Sequence, residues 1–254
     1  MFYASPFKIS MFSECPRRYK FQYIDKLAEQ FKVAKPHFTM GENVHKSLKD
    51  FFELPEPERT YPKLEELLRD NWREKREGFK DREEEKKFGE AALKMLKDFT
   101  EKEDLKINPI ALEQTYKVPL NEEIMLMGRI DRIDEKPDGL SIIDYKTGSV
   151  PDEEDKLQLA VYAIMVNKKI QKPVKHAIYL YLKSGKKYDF ETTEEILEKE
   201  LDILKKKISE ILLEKEFKPN INKFCGFCEY ISICPKKEEI QKNNPYQQKE
   251  IDPF

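Results

Sequence analysis

The chain has 254 residues, of which 47 are basic and 49 acidic, so its formal net charge is −2 although 38% of its residues are charged. This balance argues against a globally basic nucleic-acid binder of the histone kind, and any nucleic-acid partner would need basic side chains segregated on one surface. The sequence contains no run of about 18 apolar residues that could cross a bilayer, and its first residues lack the layout of a secretory signal. We therefore expect a cytoplasmic protein with no membrane partner.

The first half of the chain changes from a helical to a strand pattern. Apolar residues recur at helical spacing in residues 41–54, and residues 61–100 contain two further charged amphipathic segments. In residues 107–147 the apolar residues alternate with polar ones instead. This alternation predicts strands at residues 123–134 and 140–146, joined by a Pro-Asp-Gly turn.

The second half returns to helices around one more pair of strands. Apolar residues at helical spacing predict a helix through residues 157–165, and Pro151 followed by three acidic residues is the predicted helix start. Residues 174–183 are predicted to form a central strand that is buried on both faces, with residues 187–190 paired beside it. A long helix is then predicted over residues 193–216.

The sequence contains helical and strand segments but no internal repeat and no low-complexity linker, so we expect a single domain over residues 1–254. Residues 1–104 are expected to be mainly helical, residues 105–190 to form the sheet core, and residues 191–254 to hold the long helix and a cysteine clamp. The tail from Phe217 contains three of the four cysteines and ends in a polar, proline-containing segment that we expect to be partly disordered.

Two acids and a lysine on neighbouring predicted strands carry the strongest chemical signal. Asp131 lies on the first strand, while Asp144 and Lys146 lie two residues apart on the next and therefore share one face. A hairpin could bring Asp131 opposite that face, where two carboxylates would hold Mg²⁺ or Mn²⁺ and the ammonium would stabilise a phosphodiester transition state. The alternative is exposed strand charges in surface salt bridges, but Asp144 has apolar neighbours in a strand that is otherwise buried.

Five short motifs resemble the PD-(D/E)XK nuclease superfamily, and in their particular form its RecB-like exonuclease branch. They occur in the order typical of that branch, and the resemblance as a whole runs from about Ser5 to Pro235, nearly the whole chain. The motifs are Ser5-Pro-Phe-Lys-Ile-Ser-Met-Phe-Ser-Glu-Cys-Pro-Arg-Arg-Tyr-Lys-Phe-Gln-Tyr23, Gly41-Glu-Asn-Val-His45, Gly128-Arg-Ile-Asp-Arg-Ile-Asp134, Asp144-Tyr-Lys-Thr-Gly148 and Gln158-Leu-Ala-Val-Tyr162. The resemblance implies an α/β restriction-endonuclease-like fold, in which a mixed central sheet is flanked by helices. It also implies a helical N-terminal region and a C-terminal lobe that holds an iron–sulfur cluster.

The resemblance also implies roles for individual residues. The implied ligands of the catalytic metal are His45, Asp131, Asp144 and the backbone carbonyl of Tyr145. Lys146 is implied to serve the attacking water. Gln158 and Tyr162, four positions apart on one helix face, are implied to position the active site and the DNA strand. We expect Glu113, on the preceding strand, to form a salt bridge rather than to assist the metal.

The cysteines form a pattern of three clustered residues and one distant residue. Cys225, Cys228 and Cys234 lie close together near the C-terminus, and Cys15 is the one remaining candidate for a fourth ligand. From the spacing alone, structural zinc and an iron–sulfur cluster are equal candidates, and buried free thiols are a third. The pattern is similar to that of AddB-type and CRISPR-adaptation nucleases, which implies a [4Fe–4S] cluster that staples the two chain ends together.

The resemblance implies metal-dependent hydrolysis of DNA phosphodiesters, most readily as a single-strand exonuclease in DNA repair or recombination. The sequence contains no phosphate-binding loop and hence no helicase motor, so duplex DNA would require a helicase partner. Two alternatives stay open. One is a CRISPR-adaptation nuclease that trims spacer precursors beside an integrase, and the other is a non-catalytic DNA-binding subunit of a recombination complex.

Overall fold

The structure is a computed structural model that describes residues 1–243. The chain divides into two compact units, of which the first contains Met1–Tyr3 and Ala34–Leu201 and the second contains Ala4–Val33 and the described residues from Asp202 onward. The polar end segment for which we expect partial disorder lies outside the described residues. Over the described part of the chain, no helix combines the length and apolar character needed to cross a membrane.

The central sheet is mixed and has six strands. The strands are β1 (Phe2–Ala4), β2 (Pro109–Pro119), β3 (Ile124–Lys136), β4 (Gly139–Lys146), β5 (Val174–Tyr181) and β6 (Lys186–Glu191). They are ordered β1-β3-β4-β5-β6, and β2 pairs with β3. Strands β4 and β5 are parallel, whereas the β2–β3, β3–β4 and β5–β6 pairs are antiparallel. The predicted mixed sheet is therefore confirmed, and β6 pairs beside β5 as expected.

The described residues contain eight α-helices. They are α1 (Pro6–Glu14), α2 (Pro16–Tyr19), α3 (Pro36–Glu53), α4 (Tyr61–Glu74), α5 (Arg82–Lys102), α6 (Lys156–Ile170), α7 (Glu194–Leu213) and α8 (Lys237–Asn243). Apolar side chains of α3, α4 and α5 form one buried cluster with Ile143 and Tyr145 of β4. Because side chains alternate along a strand, Asp144 between them points to the opposite face of the sheet.

Helix α6 begins later than the sequence predicts. Its N-cap is Asp155, whose side chain accepts a hydrogen bond from a backbone N–H two residues further on. The prediction that the helix starts at Pro151 is wrong, because tertiary contacts hold the acidic residues before the helix. The hydroxyl of Tyr181 donates to the Glu154 carboxylate, and the hydroxyl of Tyr179 donates to the Asp155 carbonyl at 2.7 Å.

The second unit has its own aromatic core. The ring of Phe217 stacks on that of Tyr19 at 6.4 Å between centroids and meets Phe12 edge-on at 6.3 Å. Tyr230 is 1% exposed and packs against Phe21 at 5.5 Å. Each contact joins a residue before position 34 to one after position 216, so hydrophobic packing holds the two chain segments together in this unit.

Arg59 is a buried cation in the first unit that is bound chiefly by backbone carbonyls. The residue is only 7% exposed and follows α3 in the chain. Its acceptors are the carbonyls of Phe52, Leu54, Leu105 and Ile107 and the side chain of Asn108, at distances from 2.6 to 3.2 Å. The guanidinium thus joins the end of α3 to the segment that leads into β2, and it satisfies carbonyls that would otherwise be buried without partners.

We predict that Arg59→Met lowers the free energy of unfolding by about 3 kcal/mol, because several buried carbonyls lose their donor at once. Urea unfolding followed by circular dichroism measures the change. The matched control is Arg73→Met, since the Arg73 side chain is 74% exposed, and its loss should cost less than about 0.5 kcal/mol. Equal losses in the two variants would contradict the anchoring role of Arg59.

Candidate active site

Strands β3 and β4 separate at the two acids that the sequence singles out. Their antiparallel ladder reaches the pair Arg132 and Ile143 and goes no further in that direction. One position beyond, the Asp131 carboxylate accepts the backbone N–H of Tyr145 at 2.8 Å. The Asp131 side chain therefore accepts the hydrogen bond that the backbone of a neighbouring strand would otherwise accept. This contact holds Asp131 at the end of β4, beside Asp144.

A histidine and two carboxylates converge at this point. His45 of α3 places Nδ1 3.3 Å from Asp131 Oδ2 and 3.5 Å from Glu113 Oε1. One ligand atom from each of the three residues lies within 4.8 Å of the others. An imidazole nitrogen with carboxylate oxygens suits a hard divalent cation such as Mg²⁺ or Mn²⁺.

Glu113 belongs to this cluster although we expected only a salt bridge. It does form one with Arg129, and its other carboxylate oxygen faces His45. The Glu113 side chain is only 6% exposed, and its backbone φ of 47° is left-handed, which is uncommon for a residue with a Cβ inside a strand. The pairing of β2 with β3 places Glu113 near Asp131, because Glu113 lies between two residues that pair on either side of Asp131. In the sequence, its position on the strand before the acids is the one indication of this.

Asp144 is a buried carboxylate with an incomplete set of partners. It is 4% exposed, and burial together with the nearby Asp131 carboxylate raises the pKa of Asp144 to about 6. Its Oδ2 lies 2.6 Å from Lys146 Nζ, although no donor among the described residues makes a well-directed hydrogen bond to that oxygen. The predicted convergence of Asp131, Asp144 and Lys146 is therefore present in the geometry.

Gln158 connects the lysine to the carboxylate. Its amide nitrogen donates to Asp144 Oδ1 at 3.0 Å and to the Tyr162 hydroxyl at 2.9 Å. Its amide oxygen accepts from Lys146 Nζ at 2.9 Å and lies 3.3 Å from the hydroxyl of Tyr179. An amide can donate and accept at once, which explains why glutamine serves at this position on α6.

Tyr162 packs directly on strand β3. A Cβ placed on Gly128 would lie 2.7 Å from the Tyr162 ring and 2.9 Å from the Met165 side chain. Only glycine leaves room for these two buried side chains to lie so close to the strand. Tyr145 uses its backbone N–H to hold Asp131, and its ring lies in the apolar cluster, so the metal-binding role of its carbonyl stays a prediction.

The four cysteines line one cavity of about 40 Å³ in the second unit. Backbone N–H groups of Asn220 and Asn222 point at the sulfurs of Cys15 and Cys225, at 3.5 and 3.3 Å. The side chain of Arg17 lines the same cavity, and its buried Nε has no hydrogen-bond partner among residues 1–243. Sulfur atoms surrounded by N–H donors suit a group that carries negative charge on sulfur.

The charge state of His45 in the metal-free protein follows from its neighbours. Burial opposes protonation, but the Asp131 carboxylate and then Glu113 outweigh it and raise the pKa of His45 to about 10. The imidazole is therefore protonated at pH 8 and must lose this proton before either nitrogen can bind a cation.

We predict that Mn²⁺ binding at pH 8 releases about one proton per chain, and that the affinity rises about tenfold per pH unit up to the pKa of His45. Calorimetric titration in buffers of different ionisation enthalpy measures the released proton. Asp144 is already ionised at pH 8 and contributes none. His45→Gln should bind Mn²⁺ more weakly and without proton release, and the same release from this variant would refute the assignment.

Comparisons with known proteins give a family match and two similar solved structures. Residues 3–235 match the PD-(D/E)XK nuclease superfamily. The crystal structure of a candidate exonuclease from Eubacterium rectale is 15% identical and superposes with a TM-score of 0.56, covering 90% of this chain and 87% of the other. The crystal structure of SSO0001 is 14% identical, with a TM-score of 0.46 and coverage of 92% and 86%. No curated protein sequence matches the chain.

The structural likeness supports the fold, and the family match includes both chain regions that supply the acids, the lysine and the cysteines. The strands that place Asp131 and Asp144 side by side lie within the matched residues. The chain belongs to the PD-(D/E)XK nuclease superfamily.

Proposed function

We propose that the protein is a RecB-like exonuclease that hydrolyses phosphodiester bonds of single-stranded DNA with Mg²⁺ or Mn²⁺, in DNA repair or recombination. The observation that carries the proposal is the convergence of the His45, Glu113 and Asp131 ligand atoms within 4.8 Å beside the buried Asp144 carboxylate. Two like charges buried together are costly, and a divalent cation is the partner that compensates them best.

The chain's own residues supply binding and positioning for this reaction. His45, Asp131, Asp144 and the carbonyl of Tyr145 hold the cation, and Glu113 joins them as a further ligand. When bound, the cation polarises the phosphodiester and lowers the pKa of an attacking water. Lys146 orients that water and stabilises the negative charge that develops on the phosphate oxygens as the leaving oxygen departs.

Gln158 and Tyr162 act through other residues in this proposal. Gln158 contacts both Asp144 and Lys146, so it sets the distance between the acid and the ammonium. Tyr162 orients the Gln158 amide through its hydroxyl. Trimming of spacer precursors in CRISPR adaptation would use the same residues, and co-purification with an integrase would favour that context over repair.

The catalytic assignment predicts that Asp144→Ala reduces Mn²⁺-dependent digestion of labelled single-stranded DNA by at least about 1,000-fold, because a buried ligand is lost. The matched control is Glu90→Ala, which removes an exposed carboxylate from α5 and should leave the rate unchanged. Thermal unfolding of both variants checks the fold. Equal activity of Asp144→Ala and the parent protein would exclude catalysis at this site.

The same assay separates exonuclease from endonuclease action. Linear strands labelled at the 5′ or 3′ end reveal the polarity of digestion, and a circular single strand of the same sequence offers no end. The parent protein should degrade the linear strands and leave the circle intact. Cleavage of the circle at a comparable rate would contradict the exonuclease assignment while leaving the nuclease assignment in place.

We also propose that Cys15, Cys225, Cys228 and Cys234 hold a [4Fe–4S] cluster. Structural zinc and a [4Fe–4S] cluster both bind through cysteine thiolates, and all four cysteines line the same cavity. The choice of the cluster over zinc rests on the similarity of the cysteine pattern to that of AddB-type and CRISPR-adaptation nucleases. Burial raises the pKa of Cys228 to about 11, so a positively charged metal group must replace its proton.

Anaerobically purified protein is predicted to be coloured and to contain iron and inorganic sulfide in equal amounts. Cys15→Ser and Cys225→Ser should each lose the iron and lower the unfolding temperature, because the cluster closes a loop of nearly the whole chain. Metal analysis measures the iron content, and visible absorption detects the cluster. Colourless parent protein that contains zinc would instead establish the zinc alternative.

A further inference from the structure

Tyr179 lies directly beside the catalytic pair in the sheet. It is on β5, where it pairs with Asp144 of the parallel strand β4. Tyr179 is only 2% exposed, and none of the five sequence motifs includes it. A buried tyrosine next to a buried carboxylate needs a hydrogen-bond partner for its hydroxyl, and the contacts of its ring indicate why an aromatic side chain lies there.

The ring of Tyr179 faces the ammonium of Lys146. Lys146 Nζ lies 4.5 Å from the ring centroid, within the range of a cation–π interaction. The Lys146 side chain is 31% exposed, and lysine has a flexible stem with several rotamers. Its other two contacts at the site are Asp144 and Gln158.

The three contacts differ in what happens to them during the proposed reaction. A cation bound at Asp144 would share the carboxylate charge and weaken its attraction for Lys146. The Gln158 amide gives a single hydrogen bond. The ring face neither binds the cation nor donates a proton, so its attraction for the ammonium persists when the cation is bound.

The hydroxyl of Tyr179 holds a second part of the site. It donates to the Asp155 carbonyl at 2.7 Å, with Gln158 Oε1 as a longer second acceptor at 3.3 Å. Asp155 is the N-cap of α6, the helix that carries Gln158. The ring itself is fixed by Tyr188, which stacks at 6.3 Å with an interplanar angle of 26°.

We propose that Tyr179 is a positioning residue for Lys146, whose ammonium its ring face holds at the attacking water. This inference rests on the proposed nuclease function for its catalytic consequence. The contact between ring and ammonium can be tested without activity.

The first measurement is independent of catalysis. The ε-methylene protons of Lys146, identified by their disappearance in Lys146→Met, should show an upfield ring-current shift in the NMR spectrum of the parent protein. Tyr179→Phe should keep this shift and Tyr179→Leu should lose it. An ordinary lysine shift in the parent, or an unchanged shift in Tyr179→Leu, would overturn the proposal.

The second measurement uses turnover of linear single-stranded DNA with Mn²⁺. Tyr179→Leu should lower kcat about 3- to 30-fold with unchanged KM and Mn²⁺ affinity, whereas Tyr179→Phe should stay within about twofold of the parent. Replacing Tyr179 with phenylalanines that carry increasing numbers of fluorines should lower kcat stepwise, because each fluorine weakens the ring face with little change in its shape.

The outcomes separate the two proposals. A flat fluorine series at position 179, or equal losses in Tyr179→Phe and Tyr179→Leu, would overturn the positioning role in an otherwise active nuclease. A parent protein that lacks Mn²⁺-dependent digestion would instead refute the proposed function, and the NMR result would still decide whether the ring holds Lys146.

Discussion

The structure of the site depends on two carboxylates that are buried side by side where strands β3 and β4 separate. Asp131 is 8% and Asp144 4% exposed. Burial and the nearby Asp131 carboxylate raise the pKa of Asp144, and, against the opposing effect of burial, the attraction of the Asp131 and Glu113 carboxylates raises the pKa of His45. Such a pair is stable only with cations around it, and His45 and Lys146 are the protein's own contributions.

The surrounding elements hold this arrangement from several directions. Helix α3 contributes His45, strand β2 contributes Glu113, and helix α6 contributes Gln158. Gly128 lets Tyr162 of α6 lie closely against β3, and Tyr162 accepts a hydrogen bond from Gln158 one turn earlier on the same helix. Because five elements (α3, β2, β3, β4 and α6) meet at this site, the ligands are held by the packed core rather than by loops, as expected of a preorganised site.

A second polar pair secures the other side of the same strand. Arg132 and Asp134 are buried and form an ion pair at 2.7 Å, and Arg132 also donates to the Tyr145 hydroxyl at 3.1 Å. The Arg132 guanidinium lies 4.4 Å from the centre of the Phe52 ring on α3. These contacts fix the residues that flank Asp131 and Asp144, so the acidic pair rests on a satisfied polar network.

The sequence by itself determined most of the strands and helices and placed Asp131, Asp144 and Lys146 on neighbouring strands, because alternation and helical spacing are local properties of the chain. The mixed sheet was implied by the family resemblance, and the tertiary structure shows its parallel and antiparallel pairings. Only the tertiary structure revealed the start of α6 at Lys156, the inclusion of Glu113 and the contact of Tyr179 with Lys146. The acids before α6 favour a helix start locally, but hydroxyls from a distant strand hold them outside it. Glu113 and Tyr179 have no distinctive local pattern, since their roles arise from the neighbours that strand pairing places beside them.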